Sequence, residues 1–162
     1  MKTLKFHLFL LTIFLLIFGC SKTHTMSDVH VDFASNDLKG LVIKNLSILE
    51  ANGRWTDGKE VLFTFPNQLP SDFTLILQAN DAFNLNAGKA FKVIVGNTQE
   101  DFVIESKKDT VFMHKYKNTE PGVKTISIIV PSPSSPAEMG SGKDIRKLGA
   151  VLRSLEIRSS NL

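Results

Sequence analysis

Phe73-Thr74-Leu75-Ile76-Leu77-Gln78-Ala79 sets apolar side chains at positions 73, 75, 77 and 79, with Thr74 and Gln78 between them. Side chains of an extended chain point alternately to opposite faces, so this spacing buries one face of a β-strand and leaves the other half-open. The same period recurs on both sides of it. Val61, Phe63 and Phe65 alternate with Leu62 and Thr64, and the pattern returns at Phe91, Val93 and Val95 and at Ile126, Ile128 and Val130. Further strand candidates are Val29 to Phe33, Leu41 to Leu49, Phe102 to Glu105 and Thr110 to Lys115. Gly, Pro, Asn and Asp separate these runs, as turns between antiparallel strands require.

The last segment fits two geometries. Ile145, Leu148, Val151, Leu152 and Leu155 make a helical stripe, whereas Leu148, Ala150 and Leu152 followed by Leu155 and Ile157 make a strand with one slip in its alternation. Gly149 weakens a helix there, and a bulged strand would give a sheet its closing edge, so the strand is favoured. About eight or nine strands, no long helix and no internal repeat predict an all-β fold: a two-sheet antiparallel β-sandwich of jelly-roll type. Two long loops are expected, over 80–89 and over 131–147.

The N-terminus reads differently from the rest. Lys2 and Lys5 precede the apolar run Leu8 to Phe18, which only Thr12 interrupts, and small Gly19 stands before Cys20. This is the layout of a signal peptide over 1–19. At about 1.5 Å of rise per residue the run covers roughly 17 Å as a helix, too short for a hydrocarbon core of roughly 30 Å. Cys20 is the only cysteine, so no intramolecular disulfide can use it. Ile17-Phe18-Gly19-Cys20 resembles a bacterial lipobox, which implies that Cys20 is acylated, with the lipid bilayer as its partner. Each buried acyl methylene contributes about 0.8 kcal/mol to such an anchor. Ser21 after the cysteine resembles outer-membrane sorting, which implies a cell-envelope protein on the periplasmic side. The polar stretch within 20–28 then serves as a tether that keeps the β-sandwich domain, residues 29–162, within about 30 Å of the membrane.

Charge excludes one class of partner. The chain carries +3, but loss of Lys2 and Lys5 with the leader leaves 17 basic against 16 acidic residues, and no basic stripe interleaves with aromatics. No nucleic-acid partner is expected from that balance. No serine sits in a nucleophile elbow, and His24, His30 and His114 have no His or Cys at ligand spacing. No catalytic residue, metal or cofactor is assigned. Gly53-Arg54-Trp55-Thr56-Asp57-Gly58 holds the only tryptophan, beside a guanidinium and a carboxylate. An aromatic face with fixed polar groups is what a sugar ring needs, yet Trp55 could equally plug the core while Arg54 pairs with a loop carboxylate. In the later loop, Pro131, Pro133 and Pro136 stiffen the backbone near Glu138, Asp144 and Arg146, which can bind a ligand or brace the sandwich through an Asp-Arg pair.

These pieces join a longer pattern. It runs from Asp32-Phe33 through 53–58 and Leu69-Pro70-Ser71-Asp72-Phe73-Thr74-Leu75 to Ala82-Phe83, Asn86, Gly88 and Val95-Gly96. It continues with Pro133-Ser134-Ser135-Pro136-Ala137-Glu138-Met139-Gly140 and Asp144-Ile145-Arg146-Lys147-Leu148-Gly149. The pattern resembles the β-sandwich domain appended to membrane phosphoglycerol transferases that modify periplasmic glucans, and to some glycosyltransferases of surface polysaccharides. Ala82-Phe83-Asn84-Leu85-Asn86 departs from the family-like Ala-Phe-Gly-Pro-Asn, and the transferase portion has no counterpart in this sequence. The resemblance therefore implies an accessory module near envelope glycans, not a transferase. Arg54, Trp55, Asp57, Asn86, Asp144 and Arg146, taken as loop residues, are the candidate ligand-binding set. The expected function is non-catalytic glycan binding or positioning; the alternative is docking on an envelope polysaccharide enzyme or assembly protein.

Overall fold

The computed structural model describes residues 26–160. The expected signal peptide, Cys20 and most of the tether lie outside the described residues. Ten strands follow one another: β1 (Val29–Asp32), β2 (Val42–Lys44), β3 (Arg54–Asp57), β4 (Glu60–Thr64), β5 (Phe73–Ala82), β6 (Ala90–Val95), β7 (Thr98–Val103), β8 (Thr110–Tyr116), β9 (Thr125–Ile129) and β10 (Leu148–Ser159). They form two sheets. One has the order β1-β10-β5-β8 with β3 also paired to β10, and the other β2-β4-β9-β6-β7. Every pairing is antiparallel, as the period-two pattern requires.

The inward faces carry the residues whose alternation is visible in the sequence. Phe73, Leu75, Leu77 and Ala79 of β5 meet Val61 and Phe63 of β4, Phe91 and Val93 of β6 and Ile126 and Ile128 of β9 in one buried core. Aromatic pairs join the layers: Phe33 stacks on Phe63 at 5.6 Å, and Phe102 tilts against Phe112 at 5.4 Å. Met26, within the stretch read as tether, is also buried, and its amide donates to the Gln68 carbonyl at 3.1 Å.

Three elements differ from expectation. Within 53–58, Arg54–Asp57 form strand β3 and not a loop: Glu50 and Gly53 exchange backbone hydrogen bonds, which turns the chain so that β3 lies along β10. A Cβ on Gly53 would stand 2.2 Å from the Leu152 carbonyl oxygen, so that glycine marks a close backbone approach to β10. The expected loop over 80–89 is shorter, because β5 runs on to Ala82 and a 3₁₀ turn covers Asn84–Asn86. Strand β7 begins at Thr98 and so precedes the run Phe102 to Glu105. Its polar start, Thr98 to Asp101, mostly faces solvent on a sheet edge, where hydrophobic alternation has nothing to report.

The C-terminal segment is a strand, and a bulged one. Against β5, Val151 pairs with Asp81 and Leu152 with Ala79, which leaves Asn80 extra. Ser154 then pairs with Gln78, which leaves Arg153 extra on the other side. Two opposed bulges within a few residues bend the sheet locally and turn both unpaired side chains.

Gly149 of β10 lies under Thr56 and Val130; an added Cβ would stand 2.4 Å from a Val130 methyl and 2.6 Å from the Thr56 hydroxyl. Both neighbours are themselves buried. Overpacking at such a site costs about 1–3 kcal/mol. Gly149→Ala is expected to lower unfolding stability by that amount, with no change in the denaturant slope, in a urea titration of the purified protein.

Candidate functional site

The paired bulges give the first sheet a groove on its outer face. Thr56 of β3 points inward and is fully buried, so Trp55 beside it points outward, next to Val151 and Asp81 on the neighbouring strands. Phe83 meets the indole edge-on, with centroids 6.0 Å apart and rings at 88°, which holds the ring upright while leaving it half-buried. The 50–53 turn walls one side of this half of the groove, and Lys107 and Asp109 wall the other; its volume is about 570 Å³. A second depression of about 630 Å³ continues over Gln78, Val111 and Arg153 and shares Ala51, Asn52, Asn80 and Asp109 with the first.

Local chemistry fixes these walls. Asp81 accepts from the Lys107 amide at 2.8 Å and from the Ser106 hydroxyl at 3.4 Å, which ties the 105–109 loop to β5. Asn80 donates from its side chain to the Asn52 carbonyl at 3.0 Å, which ties the opposite wall to the same strand. Arg146 donates to Glu50 at 2.9 Å and, through Nε and Nη2, to Asp144 at 2.9 and 2.6 Å. Hydrogen bonds from Arg146 hold the Asp144 carboxyl below its ordinary value of 3.8, and bonds to Asp144 and then Glu50 raise the guanidinium above its own. Arg146 therefore stays charged and holds the 50–53 turn in place.

The six residues expected to bind ligand divide sharply. Arg54 donates to the Ser47 and Ser35 carbonyls and to the Asn36 side chain, at 3.2–3.3 Å. Asp57 accepts from the Lys147 amide at 2.8 Å. Asn86 has no exposed surface; it donates to the carbonyls of Phe83, Ser132 and Leu148 and accepts from the Ser132 amide. With the Asp144–Arg146 pair, these five side chains join segments of the chain to one another. The 131–147 loop is braced in the same manner: Ser135 and Glu138 exchange side-chain to backbone hydrogen bonds, and Lys147 donates to Glu138. Trp55 alone among the six lines the groove.

Sequence reasoning missed the residues around Trp55. The side-chain amides of Asn52 and Gln78, the Asp109 carboxylate and the Lys107 ammonium line the groove and have no hydrogen bond or ion pair among the described residues. Uncommitted donors and acceptors beside an exposed aromatic ring can serve a ligand rich in hydroxyls. One signal pointed to this place: the alternation 73, 75, 77, 79 slips to 82, and the slip falls on polar Asn80 and Asp81. Among the described residues no group of three or more His, Cys, Asp or Glu is placed to hold a metal. His114 lies 3.5 Å from Glu100, on the flank where the edge strands β7 and β8 meet.

Comparison with known proteins gives this chain a family. A profile described as a domain of unknown function, DUF7024, matches residues 25–159. The chain belongs to the DUF7024 family. Phosphoglycerol transferase I of Citrobacter koseri is 31% identical over 112 residues, which are 67% of this chain but 14% of that protein. The match supports the resemblance to an accessory β-sandwich of such transferases. Two solved structures share more distant similarity. A family 35 carbohydrate binding module from Clostridium thermocellum aligns with 83% of this chain and 100% of its own at 14% identity and a TM-score of 0.43. The GH26-CBM35 β-(1,4)-mannanase of Podospora anserina aligns with 84% of this chain and 28% of its own at 12% identity and a TM-score of 0.41.

The buried side-chain amide of Asn86 pairs with both the carbonyl and the amide of Ser132, and adds a donor to the Phe83 and Leu148 carbonyls, which also accept the Asn86 and Ser134 backbone amides. Its loss removes the partner of the Ser132 carbonyl and amide, at a cost of about 1–3 kcal/mol. Asn86→Ala is expected to lower the midpoint of thermal unfolding, read by circular dichroism, while the Trp55 fluorescence maximum of the folded protein stays where it was.

Proposed function

We propose that this DUF7024 chain is a non-catalytic glycan-binding module of the bacterial envelope, held at the periplasmic face of the outer membrane by acylated Cys20. One observation carries the binding part: an outward Trp55 ring, steadied by Phe83, is surrounded by polar groups that the fold leaves uncommitted. The ring can cover the C–H face of a pyranose while Asn52 and Asp109 reach its hydroxyls. The resemblance to accessory domains of envelope phosphoglycerol transferases supports the same ligand class. The chain enters the described fold at Met26, near the paired Val29 and Ile157, whereas the groove begins beside Val151 at the other end of β10. At about 3.3 Å per strand residue the groove stands roughly 20 Å from that pole. A tethered domain would thus hold its groove away from its point of attachment.

A second reading, docking on a polysaccharide enzyme or assembly protein, draws on a different surface. Ile48 and Ile145 are 77% and 80% exposed, and the Glu50–Arg146 ion pair links their two segments. Exposed apolar side chains of this size suit a protein partner. Titration calorimetry with envelope oligosaccharides separates the two readings. Trp55→Ala is expected to weaken binding at least tenfold, about 1.4 kcal/mol or more, while Ile145→Ser leaves it unchanged. Glycan binding that survives Trp55→Ala would refute the Trp55 site, whereas a wild-type protein that binds no glycan would leave the docking reading.

The anchor has its own test. Metabolic labelling with an alkynyl fatty acid is expected to mark the wild-type protein and not Cys20→Ser, which should leave the membrane fraction. Equal labelling of both would refute acylation at Cys20.

A further inference from the structure

The groove does not end at its aromatic half. Past Asn80 and Asp109 a second depression runs over Gln78, Val111 and Arg153, and the two adjoin, with four lining residues in common. The far half has the marks of a surface left open. Val111 is 57% exposed on the outer face of β8, and the Gln78 amide has no partner among the described residues. Arg153 is left unpaired with β5 by its bulge, and among the described residues its guanidinium approaches only Asp32, at 3.8 Å. An exposed ion pair that loose gives a guanidinium little reason to stay where it is.

We infer that the groove is a two-subsite cleft for a linear oligosaccharide of at least two sugar units. One ring packs on Trp55, and the next lies over Val111 with its hydroxyls on Gln78, Arg153 and the shared Asp109. This rests on the glycan reading and extends it from a single ring to a chain. The opposed bulges serve that purpose: Asn80, unpaired on β5, stands at the junction of the two subsites, and Arg153, unpaired on β10, stands in the second. In a regular ladder both positions would hold ordinary cross-strand pairs. A flat sheet face would then lie where the cleft is.

The test is a length series. Arrayed envelope oligosaccharides of one to six units are presented to the full chain purified in detergent, and dissociation constants for the best series follow by calorimetry. Affinity is expected to rise at least tenfold between one unit and three, then level off. Gln78→Ala, which removes an exposed side chain with no structural bond, is expected to return the longer sugars towards the affinity of the monosaccharide without changing the monosaccharide itself. Arg153→Gln should do the same. If affinity does not depend on length, or if neither variant matters while Trp55→Ala abolishes binding, the second subsite is refuted and the single-ring glycan site stands. If the wild-type protein binds no member of any series, the glycan reading and the two-subsite cleft fall together.

Discussion

The structure depends on one constraint: β10 has to satisfy three partners along a single strand. Its C-terminal half pairs with β1 on one edge, its N-terminal half pairs with β3 on that same edge, and β5 runs along nearly its whole length on the other. On the β5 edge the register breaks around Val151 to Ser154, at the level where β1 gives way to β3 on the opposite edge. Gly149 permits the same crossing at the N-terminal end, since only a residue without a side chain lets Thr56 and Val130 close over the strand.

The groove follows from that solution. Bulged positions do not pair across the ladder, so their side chains are free to aim elsewhere, and Asn80 and Arg153 lie along the outer face beside Trp55. The polar groups of this region then sort by commitment. Arg54, Asp57, Asn86, Asp144 and Arg146 hold the chain together. The side chains of Asn52, Gln78, Lys107 and Asp109 have no hydrogen bond or ion pair among the described residues. Buried polar groups must be satisfied internally because water cannot reach them, whereas groups on an open groove can wait for a ligand.

Of the six residues read in the sequence as ligand contacts, the structure sets one in the groove and gives five bonds within the chain. Trp55 is conspicuous as the only tryptophan, and it does line the groove. Its neighbours Arg54 and Asp57 look equally suited to a sugar, but strand alternation sends Arg54 to the opposite face, onto backbone carbonyls, and Asp57 caps the Lys147 amide. Asn86, Asp144 and Arg146 are read as ligand contacts for the same reason: residue type shows that a side chain can hydrogen-bond, not what it bonds to. The other groove-lining residues come from distant parts of the chain, with Asn52, Gln78 and Asp109 gathered by strand pairing.

What the sequence determined by itself is the body of the fold. Period-two apolar runs place Phe73, Leu75 and Leu77, Val61 and Phe63, and Ile126 and Ile128 on buried faces, because the pleat ties side-chain direction to residue parity. The slip before Ile157 likewise marks a bulged strand. Only the tertiary structure decided which strands lie side by side, that residues 54–57 pair with β10, and that the breaks on β5 and β10 fall opposite each other. Alternation is a local property of each strand, but register between strands is set by long-range pairing. The groove exists only in that pairing.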